Sequence, residues 1–216
     1  MNILHIICSP RGQASESYRL AQGILGFLLN AHPTATVTNR LLSAGGLLPI
    51  DGPYAMSQQA SADVTEAGSI ARSNELIDEL QAADILLIAT PMHNFTVPST
   101  LKLWIDHVAR VRRTFNVGAQ GKTSLLHDRP VYVAVASGGR ISGVTPRQPD
   151  FLSPYLKAVL GMIGLHDVKF FSVEGTAMGP DALSAARNTA QQALEEHFRA
   201  YPTVEANDPS QPKLFA

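Results

Sequence analysis

The run Ile85-Leu86-Leu87-Ile88-Ala89, followed after Thr90 by PMHNFTVPSTLKLWID from Pro91 to Asp106, decides the fold. The first run is short, aliphatic and bounded by Asp84 and Pro91, the pattern of a parallel strand buried on both faces. After it come a polar turn, Pro98-Ser99, and then Leu101, Leu103, Trp104, Ile105 and Val108 as the apolar side of a helix. Strand, turn and helix start in that order mark the carboxyl end of a strand in an open α/β sheet, where such sheets place ligands. The turn offers backbone N–H groups together with His93, Asn94 and Phe95, a set suited to a flat, hydrogen-bonding heteroaromatic ring. It reads as a cofactor loop.

Outward from this stretch the chain alternates strands and helices. Strands are predicted at Met1–Cys8, Thr34–Leu42, Ile85–Thr90, Val131–Ala136 and Val168–Val173. Helices are predicted from Ser15 or Ser17 to about Asn30, from about Ala62 to Ala82, and over Ser99–Val111, Phe151–Met162 and Asp181–Tyr201. The segment Ser43–Ser73 carries Gly45-Gly46, Pro49 and Gly52-Pro53 and is read as a long excursion. Asn116–Ser124 is read as a loop. Alternation of this kind implies parallel βαβ units with right-handed crossovers in a doubly wound sheet. No linker divides the chain, so residues 1–206 are expected as one domain and Asn207–Ala216, with Pro209 and Pro212, as a tail or a strap on a partner.

Composition narrows the class. Of 216 residues, 45% are hydrophobic and 16% charged, which is globular rather than disordered. A net charge of −1 argues against nucleic acid as a partner. No stretch approaches the roughly 20 apolar residues that span a bilayer. Cys8 is the single cysteine, so no internal disulfide forms and a cytoplasmic location is expected. The seven histidines show no metal-ligand spacing, and no metal is expected.

The first strand–helix turn reads S-P-R-G-Q-A-S-E-S, Ser9 to Ser17, with no G-x-G-x-x-G dinucleotide fingerprint. Hydroxyls of Ser9, Ser15 and Ser17 at a helix start join free N–H groups and the positive dipole end, which together make an anion site. Ser15 as a helix cap and Ser9 as a turn residue fit the same residues, and Arg11 either adds charge or faces water. Cys8 is not followed by a C-x5-R arginine, so it reads as a small buried hydrophobe. Gly121-Lys122-Thr123 lacks the first glycine of a Walker loop, Asn116 standing in its place.

On Ser9-Pro10, Ser15-x-Ser17 and Pro91-Met92-His93-Asn94-Phe95, the chain resembles the bacterial FMN-dependent NADH:quinone oxidoreductases, also called azoreductases. The longest match is P-M-x-N-F-x-x-P-S-x-L-K-x-W-I-D, continued by Val108, Arg110 and Thr114-Phe115. Leu125-Leu126, Gly138-Gly139, Tyr155-Leu156, Gly161 and Ile163-Gly164 extend it. The resemblance implies a flavodoxin-like, five-stranded parallel sheet, a homodimer, bound FMN, and NADH or NADPH as electron donor. By position it puts the FMN phosphate on Ser9, Ser15, Glu16 and Ser17. Met92, His93, Asn94 and Phe95 would line the flavin ring, with Ser137, Gly138 and Gly139 at its other edge. The implied activity carries hydride to quinones or aromatic azo compounds by a ping-pong course, with no catalytic side chain. The alternative is a non-enzymatic flavodoxin-like electron carrier or a redox-sensing flavoprotein. Departures from the family pattern are His93 for tyrosine, Ala136-Ser137 for Ser-Arg, Val117 for tyrosine and Lys122 for proline. By the resemblance these positions would lie toward the open face of the flavin, so the departures bear on substrate range and nicotinamide preference. Trp104 is expected in core or dimer packing rather than as a substrate platform, while Lys102, Asp106 and Arg110 are expected as surface or interface pairs on one helix face.

Overall fold

A computed structural model describes residues 1–43 and 47–199 of the chain. Five parallel strands form one sheet: β1 (Asn2–Ile7), β2 (Thr36–Leu41), β3 (Ile85–Pro91), β6 (Val131–Ser137) and β7 (Val168–Glu174). Their spatial order is β2-β1-β3-β6-β7, and every pairing is parallel. This is the flavodoxin-like order, with the direction of winding reversing at β1/β3.

Strand periodicity sorts the core into two layers, because successive side chains point to opposite faces. Ile3, Ile85, Leu87 and Ala89 meet α1 (Glu16–Ala31) and α6 (Pro180–Phe198) through Leu20, Ile24, Leu28, Leu194 and Phe198. Leu4, Ile6, Leu86, Ile88 and Val133 meet α3 (Gly68–Ala82), α4 (Ser99–Val108) and α5 (Leu152–Ile163) on the other side. Trp104 is wholly buried in that second layer, as its place on the α4 stripe requires. Cys8 is a buried free thiol, and burial raises its pKa.

The excursion differs from its prediction. It holds two helices, α2 (Gly52–Gln59) and α3, and α3 starts at Gly68 rather than near Ala62. Asp51 causes both starts: one carboxylate oxygen accepts from Tyr54 N at 2.9 Å and the other from Ser69 N at 3.0 Å. Pro53 in the first turn of α2 lacks an N–H that the helix could not have paired in any case. The predicted loop Asn116–Ser124 is instead part of a hairpin, β4 (Phe115–Gly118) against β5 (Gly121–Ser124), closed at Gly118↔Gly121. Gly121 has φ +101, a conformation that suits glycine.

Arg110 is the other correction. Lys102 and Asp106 pair on the surface of α4 as expected, but α4 ends at Val108, so Arg110 leaves that helix face. Arg110 is fully buried and donates to Asn74 Oδ1 at 2.8 Å, to Ser73 Oγ at 3.2 Å and to the carboxylate of Asp63. Arg112 adds a bond of 2.8 Å to the same Asp63, so two guanidiniums fasten the excursion to the turn after α4. α6 ends at Phe198, and the predicted tail Asn207–Ala216 lies outside the described residues, as do Gly45, Gly46 and Tyr201.

Candidate functional site at the carboxyl ends of the strands

A cavity of about 300 Å³ opens where β1, β3, β6 and β7 end. Ser9, Pro10, Arg11, Ser15, Glu16 and Ser17 line it from the β1 side. Pro91, Met92 and His93 line it after β3, Ala136 and Gly138 at the end of β6, Thr176 after β7, and Leu183 on α6.

The β1–α1 loop turns through a short 3-10 segment, Gly12–Ala14, before α1 begins. Ser15 caps α1: its Oγ accepts from Tyr18 N at 3.3 Å and its hydroxyl donates to the Gly12 carbonyl at 2.7 Å. Ser9 Oγ accepts from Arg11 N at 3.2 Å, and Ser17 Oγ lies 3.4 Å from Ser15 Oγ. The Ser9 proton is thus left for a ligand; that of Ser15 is used on Gly12, and that of Ser17 is turned to Ser15 Oγ over a long 3.4 Å, a contact a better acceptor can displace. Backbone N–H groups of Glu16 and Ser17 have no acceptor among the described residues, the normal state of a helix's first turn. The Glu16 carboxylate points to α6, where Arg187 holds it through Nε at 2.9 Å and a second nitrogen at 2.6 Å. That ion pair keeps the Glu16 pKa below the ordinary glutamate value.

The β3–α4 loop makes a two-residue turn. His93 N donates to the Thr96 carbonyl and Thr96 N to the His93 carbonyl, each at 3.0 Å. Asn94 and Phe95 occupy its corners with φ of 49° and 70°, the signature of a type I′ turn. Asparagine tolerates this conformation, but for phenylalanine it is strained, the kind of cost that clusters at ligand sites. The N–H groups of Asn94 and Phe95 have no acceptor among the described residues, and both residues are exposed.

A third loop ties these together. Met92 N donates to the Ala136 carbonyl at 2.8 Å, and Phe151 N to the Phe95 carbonyl at 3.0 Å. Ser137 is buried, its hydroxyl donating to the Gly139 carbonyl at 2.7 Å, while Thr176 N donates to the Ser137 carbonyl at 3.0 Å. Gly138 faces the cavity; Gly139 faces Gln148, whose Oε1 would lie 2.6 Å from any Cβ there.

Of the residues singled out in the sequence, Ser9, Ser15, Glu16, Ser17, Met92, His93 and Gly138 share the cavity wall. Asn94, Phe95, Ser137 and Gly139 shape the adjoining turns rather than the wall itself. Sequence reasoning passed over Thr176, Leu183 and Arg187. The first was within reach, since Gly175-Thr176 follows the last strand and strand ends are where ligands bind. Leu183 lies in the first turn of α6 and Arg187 further along it, neither with a local mark.

Comparison with known proteins agrees with this geometry. Residues 1–198 match a family described as flavodoxin-like fold. An FMN-dependent NADH:quinone oxidoreductase of Pseudomonas fluorescens is 45% identical, covering 89% of this chain and 93% of that one. A Burkholderia lata protein of the same description is 46% identical, covering 89% of this chain and 95% of its own. A crystal structure of an azoreductase from Bacillus anthracis superposes with TM-score 0.77 at 22% identity, covering 91% of this chain and 99% of the other. A second, titled an FMN-dependent NADH-azoreductase in complex with FMN, gives 0.76 at 24% identity, covering 91% and 98% of the two chains. Fold, strand-end cavity and sequence identity along most of the chain place it in the flavodoxin-like family of FMN-dependent NADH:quinone oxidoreductases.

Proposed function

We propose that the chain binds FMN and carries hydride from NADH or NADPH to quinones, aromatic azo compounds or both. The observation that carries the reading is one cavity with two chemically distinct ends. At one end stand the free N–H groups of Glu16 and Ser17 and the hydroxyls of Ser9 and Ser17, which fit a phosphate at a helix N-terminus. At the other end stand Met92 and His93, which lead into the strained 93–96 turn beside the cavity, and the side-chain-free Gly138, which fit a planar ring.

On this reading Ser15 shapes the loop, while Met92, His93, Asn94 and Phe95 meet one edge of the ring system and Ser137, Gly138 and Gly139 the other. Bound FMN supplies the hydride-accepting and hydride-donating chemistry; the protein contributes binding, orientation and exclusion of water. Donor and acceptor use one pocket in turn, which is the source of the ping-pong course. The names of the Pseudomonas and Burkholderia relatives support NADH as donor and a quinone as acceptor. A single domain, a homodimer that walls the open side of the cavity, and a cytoplasmic setting belong to the same proposal. Exposed Leu48, Met56 and Val117 support the second chain.

The test uses the FMN-loaded protein under anaerobic conditions. NADH or NADPH should bleach the flavin absorbance directly, and an added quinone or azo dye should restore it. Initial rates at varied donor and acceptor should give parallel lines. Intersecting lines with an isolable ternary complex would remove the shared-pocket step. A flavin that neither nicotinamide bleaches would move the reading to an electron carrier.

A further inference from the structure

Glu16 sets a problem for the proposed phosphate end of the cavity. It is the first residue of α1 and lines the cavity, so a carboxylate free to turn there would reach the position offered to a dianion. A carboxylate at that point would repel a phosphate, and it could also fold back onto the free N–H groups of the first turn and compete for them. Arg187 prevents both. Its guanidinium meets the two carboxylate oxygens in a fork, at 2.9 Å and 2.6 Å, from 171 positions away on α6. The Glu16 side chain keeps 13% exposure and that of Arg187 38%, so the pair is partly sheltered from water.

Other charges near Glu16 share one sign. Arg19 Nε lies 3.8 Å from the Glu16 carboxylate, and Arg11 lines the cavity with no ion pair among the described residues. One carboxylate thus faces three guanidiniums, so losing Arg187 would cut the net charge of the phosphate end from +2 to +1 and leave Glu16 without its forked partner.

We propose that Arg187 is a positioning residue for FMN affinity, acting through Glu16 by neutralising its carboxylate and drawing it off the phosphate position. The proposal rests on the phosphate assignment above. It assigns no chemical step to either residue.

Equilibrium dialysis of the FMN-loaded protein, with released flavin read by fluorescence, tests it, with riboflavin as a probe that lacks the phosphate. Arg187→Gln should weaken FMN about tenfold, the size of a partly screened charge contact, and leave riboflavin unchanged. Arg187→Lys should keep most of the affinity. Glu16→Gln alone should hold FMN at least as tightly as the native chain, and Glu16→Gln with Arg187→Gln should regain most of the loss although the ion pair is gone.

Unaltered FMN affinity in Arg187→Gln would overturn the proposal. So would equal losses of FMN and riboflavin, which would mark the pair as a brace between α1 and α6. Should Arg187→Gln fail to fold, Glu16→Gln decides alone: weaker FMN in that variant overturns the proposal. Ser9→Ala with Ser17→Ala in the same assay separates the two readings. If that pair discriminates FMN from riboflavin and Arg187→Gln does not, only this proposal fails; if neither does, the phosphate assignment fails.

Discussion

At the scale of single residues, three serines in one loop divide their labour. Ser15 spends its oxygen on Tyr18 N and its proton on Gly12, whereas Ser9 keeps its proton and Ser17 commits its own only to the long 3.4 Å contact with Ser15. Ser9→Ala or Ser17→Ala should therefore weaken FMN by about 1–3 kcal/mol each, as loss of a bond to a charged acceptor does. Ser15→Ala should instead lower stability by about 1 kcal/mol, as a lost helix cap. Flavin release and thermal melts separate the two effects. The hydroxyl cluster was legible in Ser15-x-Ser17; the division was not, because a cap and a ligand donor have the same composition. His5 carries a different prediction. It is buried on β1, with Nδ1 3.0 Å from Asn39 Oδ1, its ring stacked on Tyr18 and Nε2 unpartnered. Burial holds its pKa below the ordinary 6.5, opposed by the Asn39 bond. As pH falls below that value the unfolded chain takes up a proton that the folded chain resists, so stability present above it is lost on acidification. His197 is lowered by burial too and adds to the trend. Denaturant midpoints should fall as pH drops below the ordinary histidine value of 6.5. His5→Leu should flatten the fall, and an equal slope in that variant would remove His5 as a cause.

At the scale of elements, the long apolar strands and amphipathic helices were legible because each buries a continuous face. α2 and the β4–β5 hairpin were not. α2 buries only Tyr54 and Ser57, and beyond Phe115 the hairpin buries none of its residues. Neither leaves a hydrophobic period to read. Asp51-Gly52-Pro53 did hold a start signal, a capping acid before a proline, but its glycine and proline also read as a break. Asp51 serves two helices, so Asp51→Ala should lower the melting temperature and loosen α2 and the first turn of α3 together. Backbone N–H bonds from Ser69 and then Tyr54 hold its pKa below the ordinary 3.8. Its contribution is accordingly present above that value and lost as pH falls through the lowered one. Melts of the native chain and the variant should converge in acid; a constant gap would show that the carboxylate's charge is not involved.

At the scale of the whole molecule, alternating strands and right-handed crossovers implied a doubly wound parallel sheet, and the resemblance implied its flavodoxin-like form. What stayed hidden is long-range: Arg110 on Asp63, and Arg187 on Glu16, join residues that no local pattern connects. Self-association belongs at this scale. Val117 is 64% exposed on an outward hairpin, and Leu48 is 72% exposed. Sedimentation at micromolar concentration should give twice the 23.2 kDa chain mass, and Val117→Asp should shift it toward one chain and slow turnover. A monomer with full activity would defeat the dimer. The cavity wall itself has a consequence for synthesis. It draws on Ser9, after β1, and on Leu183, far later in the chain on α6. A chain leaving the ribosome completes β1 first, yet the pocket closes only once α6 is out. Chains cut short before α6 lack Leu183 and the Arg187 partner of Glu16, so they should hold FMN more weakly than chains that include it.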